Sequence, residues 1–139
     1  MIQNDSTRGA SLKEIRKREA EQKDAELRLK CEALATERYG AGKLAQWRKE
    51  NKGIWFLPMM DEDGNIEALA IMKPINRHIL SFASTKITDE GLYSFLEQCM
   101  RETWLDGDDK ILEDDDYFIP ASMQFNKILE GKKANLLKA

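Results

Sequence analysis

Cysteine, histidine and proline are scarce in this chain, with two, one and three among 139 residues. Cys31 and Cys99 lie far apart in sequence, with no paired-thiol or paired-ligand spacing, which argues against the disulfide framework of small secreted domains. His78 has no second imidazole to share a ligand, and the hydroxyls that follow it, Ser81, Ser84 and Thr85, lack a glycine-flanked nucleophile turn. The eight glycines are scattered at turns and form no phosphate-cradling loop. Long apolar runs are missing as well. The longest, Ile54–Met60, has seven residues, against the roughly 18 needed to cross a bilayer. Met1–Ala10 lacks the apolar stretch of a secretory signal. These absences point to a cytoplasmic protein that is not an enzyme, with no cofactor and no metal.

What the chain does have is 42% apolar and 34% charged residues, enough to build one globular domain with an appended arm. The charge is divided. Ser11–Lys52 carries 12 basic and 8 acidic residues, Gly53–Gly131 carries 6 basic and 16 acidic ones, and the tail adds Lys132, Lys133 and Lys138. A net charge of -3 conceals this. A chain so divided can steer a charged partner, or pair head to tail with copies of itself as a homo-oligomer. The basic clusters at Lys13, Arg16, Lys17 and Arg18 and at Lys43, Arg48, Lys49 and Lys52 come without a DNA-reading motif or stacking aromatics. Glu14, Glu19 and Glu21 dilute the first of them, so nucleic acid is not the expected partner.

Pattern and punctuation predict the elements. Residues 1–10 read as a disordered terminus. Ser11 with Glu14 makes a capping box, opening a long charged helix to Tyr39 that buries little at its start and more around Leu27, Cys31 and Leu34. Gly40 and Gly42 break it, closing an arm of residues 11–42, and a short amphipathic piece, Leu44–Glu50, follows. Ile54–Met60 and Ile66–Met72 flank the turn Asp61-Glu62-Asp63-Gly64-Asn65 as a hairpin, with Pro58 at an edge or bulge. Asn76 caps a short helix from Arg77 to about Thr85. Thr88 caps another running to Thr103, with Leu92, Phe95, Leu96, Cys99 and Met100 on its core face. Trp104–Asp109 reads as a turn. A last helix from about Asp116 to Glu130 places Phe118, Ile119, Ser122, Phe125, Ile128 and Leu129 on one side, Pro120 in its first turn and Gly131 as its stop. Trp47, Trp55 and Trp104 read as core anchors. The expected fold is a mostly helical α+β domain over residues 43–131, a two-stranded antiparallel hairpin packed by about three helices. The long charged helix precedes it, and a basic tail of residues 132–139 follows.

Seven acids stand against Lys110 between Asp106 and Asp116: Asp106, Asp108, Asp109, Glu113, Asp114, Asp115 and Asp116. A calcium loop starting at Asp106 would need an oxygen ligand, a glycine and a glutamate where the chain has Lys110, Ile111 and Tyr117. The run is better read as acids at the positive end of the last helix and along a solvated turn, or as a docking surface for a basic partner. Met59, Met60, Met72, Met100 and Met123 are core candidates that could also line a groove for a helix.

From Trp47 to Gly131 the order of short motifs resembles small tail-assembly-chaperone-like proteins of long-tailed phages and prophages. The features are Trp47-Arg48-Lys49, the hairpin, Lys73-Pro74-Ile75-Asn76-Arg77 leading into Leu80-Ser81-Phe82-Ala83, and Trp104-Leu105-Asp106-Gly107-Asp108 before the acidic turn and Phe118. The charged helix from Ser11 to Tyr39 departs from that pattern. The resemblance implies a non-enzymatic protein of the bacterial host cytoplasm that binds the helical tape-measure protein during tail assembly and leaves the finished particle. The alternatives are a virion structural subunit, such as a connector or cargo protein, and a host-directed regulatory binder. Candidate partner-contacting residues are Trp55, Leu57 and Met59 on the first strand, Met72 on the second and Phe82 on the short helix. Asp106, Asp108, Asp109, Asp114, Asp115 and Asp116 join them from the acidic turn.

Overall fold

A computed structural model describes the backbone of residues 5–130 and 138, and the side chains of that range apart from 5–10, 86–89 and 130. The chain divides into two units, Met1–Gly40 and Ala41–Ala139.

The first unit is α1 (Asp5–Tyr39). It starts upstream of Ser11, so Ser11 and Glu14 lie inside the helix and form no capping box. Residues 5–10 lie within the helix, while residues 1–4 and most of the basic tail lie outside the described residues. Extending a nucleated helix gains one hydrogen bond for each residue fixed, and no proline stands between Asp5 and Ser11 to stop it. Leu12, Ile15 and Leu29 are exposed, whereas Cys31 and Ala35 near the other end are buried. Gly40, at φ 86°, ends the helix with its N–H donating to the Thr36 carbonyl at 2.8 Å.

The second unit opens with α2 (Ala41–Asn51), in which Leu44 and Trp47 are buried. Gly42 sits in its first turn and breaks nothing. The helix closes in a Schellman-type turn: the Gly53 N–H donates to the Arg48 carbonyl at 2.9 Å, with Lys52 in the left-handed region at φ 60°. The Asn51 amide donates to the Trp47 carbonyl at 2.9 Å.

The predicted hairpin is present as β1 (Trp55–Met60) and β2 (Ile66–Met72), paired antiparallel with Leu57 opposite Ala70. Asp61 fastens its turn, its carboxylate accepting from the Asp63 and Asn65 N–H groups at 2.9 and 2.8 Å. Pro58 lies on the outer strand next to a register slip between Met59 and Met60, where a missing donor is tolerated.

The sheet has a third strand. β3 (Trp104–Gly107), expected as a turn, pairs antiparallel with the free side of β2, giving the order β1-β2-β3. Gly107 permits the approach: a Cβ there would lie 2.7 Å from both the Ala70 Cα and the Leu69 carbonyl oxygen. Asp108 then prolongs the ladder, its N–H donating to the Leu69 carbonyl at 3.0 Å while its carboxylate accepts from the Leu69 N–H at 2.8 Å. As the central strand, β2 buries every residue from Ala68 to Met72.

The remaining elements are helical. α3 (Arg77–Glu90) is capped by Asn76, whose side-chain oxygen accepts from the Ile79 N–H at 2.9 Å. It continues past Thr85, so Thr88 lies within the helix and not at the start of the next one. Its end and the start of α4 (Leu92–Thr103) meet at Gly91, φ 94°. After the single turn of α5 (Lys110–Glu113) comes α6 (Asp115–Asn126), followed by a 3-10 turn, Lys127–Glu130. Pro120 falls in the second turn of α6, where both it and Asp116, whose carbonyl it leaves without an intrahelical donor, face solvent.

One face of the sheet and the helices share the core. Leu57, Ala68, Ala70 and Met72 meet Ala83 of α3, Phe95, Leu96, Cys99 and Met100 of α4, Ile111 of α5, and Phe118, Ala121 and Phe125 of α6. The unit is α+β and mostly helical.

Candidate partner-binding surface

The apolar candidates separate by exposure. Trp55, on the outer strand, and Phe82, on α3, are about half open, at 48% and 54%. Trp55 is therefore not the core anchor it was expected to be; Trp47 is buried and Trp104 half-buried. Leu57 and Met72 belong to the core, at 8% and 1% exposure, and are not surface groups. Met59 is partly buried against that core, and Met100 is fully buried.

The acidic run does not act as one cluster. Asp108 is tied to β2, and Asp114 caps α6 by accepting from the Asp116 N–H at 3.0 Å. The Asp106 carboxylate accepts from the Gly107 N–H at 2.7 Å. Lys110 lies over the Tyr117 ring, 4.7 Å from its centroid. Asp109, Glu113, Asp115 and Asp116 are exposed, and the last two stand in the first turn of α6, where its dipole favours them. Among the described residues no three His, Cys, Asp or Glu side chains converge as a metal site would require.

Three exposed apolar residues, Leu92, Tyr93 and Ile119, were not expected at the surface, and Met123, a groove candidate by sequence, is exposed beside them. Leu92 and Ile119 were assigned to core faces, yet are 51% and 48% exposed. Tyr93 and Met123, 47% and 51% exposed, touch across α4 and α6, with the Tyr93 hydroxyl 3.8 Å from the Met123 sulfur. Helical spacing alone hints at Ile119 and Met123, which lie four apart and off the stripe formed by Phe118, Ser122 and Phe125.

Two of the hydroxyl candidates bond to their own helix. Ser84 and Thr85 donate to the Ser81 and Phe82 carbonyls of their own helix at 2.8 and 3.0 Å, and His78 is exposed on α3. Burial pushes the Cys31 and Cys99 thiols up to about 11, which leaves them protonated and poorly nucleophilic at neutral pH. A shallow depression of about 440 Å³ lies among Glu50, Asn51, Lys52, Lys73, Pro74, Ile75 and Asn76. Its two amides serve as helix-end hydrogen-bond partners, and Glu50 accepts from Gln46 at 2.8 Å.

Comparison with protein-family models, with curated proteins and with solved structures returned no match for this chain.

Proposed function

We propose that the chain is a non-enzymatic binding protein of the tail-assembly-chaperone kind, one that holds a helical tape-measure protein and keeps it soluble while a phage tail is built. The observation that carries the reading is the set of large apolar side chains left open on a unit whose core is already filled: Trp55, Phe82, Tyr93, Ile119 and Met123. Leaving such area in water costs about 25 cal/mol per Å², so a partner that covers it gains by binding. A tape-measure helix offers matching apolar faces. The 16 acids of Gly53–Gly131 supply the solvated surroundings that a carrier of an insoluble chain requires. The motif order from Trp47 to Phe118 supports this class of partner.

Co-expression with the tape-measure protein of the same phage tests the reading. The expected result is recovery of that protein in the soluble fraction, bound to this chain. Unchanged insolubility, with this chain abundant and folded, would contradict it.

A further inference from the structure

We infer that the junction of α4 and α6 is a docking face for a cationic amphipathic helix of the partner protein; this rests on the binding function proposed above. Tyr93 and Met123 are in contact there and half open to solvent, and Ile119 precedes Met123 by one turn on the same flank of α6. The opposite flanks of both helices are committed to the core through Phe95, Leu96, Phe118 and Phe125. The face is thus a second apolar surface, separate from the one that folding uses.

Its surroundings select the occupant. Asp115 and Asp116 stand one turn before Ile119 on α6, and Glu97 stands one turn after Tyr93 on α4. Lys127, one turn after Met123, is the cation at that spacing. Glu97 and Arg101 are paired with each other at 2.8 Å, so the acids of this face that bear on a partner are Asp115 and Asp116. Asp114 caps α6, and the Asp115 and Asp116 side chains that follow it in the first turn are exposed. A helix laid across this face would set its apolar stripe on Tyr93, Ile119 and Met123 and its flanking Lys or Arg residues near the acids. An acid-flanked helix would meet like charge. Methionine and tyrosine suit such a role, the first adapting its shape and the second joining a large apolar ring to a polar tip.

Fluorescence anisotropy with labelled synthetic helices tests this. The probes are a Leu-striped helix flanked by Lys, the same helix flanked by Glu, and a scrambled Lys peptide of equal composition. The Lys-flanked helix is expected to bind at least about tenfold tighter than either control, and more weakly as salt rises. Ile119→Ser with Met123→Ser should reduce that binding by about tenfold or more, as loss of central apolar anchors does. Asp115→Asn with Asp116→Asn should weaken it several-fold and flatten its salt dependence, and Glu67→Gln on β2 should change nothing. Equal binding of the Lys- and Glu-flanked helices overturns the proposal. So does undiminished binding by the serine variant with its circular dichroism and melting intact. Concentration-dependent self-association abolished by the same serines would overturn it too, by making a second copy the occupant. If the peptide binds as expected while co-expression leaves the tape-measure protein insoluble, the docking face stands and the tape-measure assignment falls.

Discussion

Gly107 and Asp108 join the last strand to the sheet, and both act through backbone geometry. A methyl group at Gly107 would press on the Ala70 and Leu69 backbone at 2.7 Å, where no flexible side chain can yield. Gly107→Ala is therefore expected to lower the unfolding free energy by about 1–3 kcal/mol, read as a lower urea midpoint. Asp108→Ala removes the acceptor of the Leu69 N–H and should cost about 1–3 kcal/mol by leaving that donor unsatisfied. The two cysteines give a pH signature. An unfolded thiol ionises near its ordinary value of 9.0, whereas burial holds Cys31 and Cys99 at about 11. Above the first value the unfolded chain binds fewer protons than the native one, so the thiol contribution to stability is intact below pH 9 and falls as pH rises through 11. Urea midpoints measured across that window should drop further for the native sequence than for a Cys31→Ala, Cys99→Ala variant. Equal drops would show that the thiols are not buried as described.

Among the elements, the end of α2 is the most readily improved. Lys52 occupies a left-handed position where a β-carbon costs about 1–2 kcal/mol, and Gly53 beside it already closes the cap. Lys52→Gly should raise the melting temperature by a few degrees, the gain being offset in part by the greater entropy of glycine in the unfolded chain. The hairpin was legible in the sequence because two mostly apolar runs flank a polar turn with Gly64. The core stripe of α4 was legible because Phe95, Leu96, Cys99 and Met100 recur at three-and-four spacing. β3 was not legible, since Trp-Leu-Asp-Gly carries no period, and what makes it a strand is the unfilled edge of β2 and the absence of a side chain at 107. The α3–α4 boundary was misplaced because Thr88 and Gly91 are both credible punctuation. The helix runs through the first and turns at the second, where φ is 94°.

On the scale of the whole molecule, the charge division and the exposed apolar residues define the account. Acidic excess in Gly53–Gly131 is visible from counting, but its use is not. Asp108 and Asp114 accept backbone hydrogen bonds that serve the fold, and only the structure shows that role. Of the apolar candidates, Trp55 and Phe82 are exposed and Leu57 and Met72 are buried. Met72 is buried because its face of the sheet packs with Phe95, Leu96 and Phe118 of the helices, and Ile119 is exposed because it lies on the other flank of α6 from Phe118 and Phe125. The proposed role is tested most directly by quantitative mass spectrometry of tail-assembly intermediates and finished virions from one infected culture. The account predicts this chain in intermediates that contain the tape-measure protein and its loss from mature particles; stoichiometric recovery from purified virions would contradict it and favour a structural subunit.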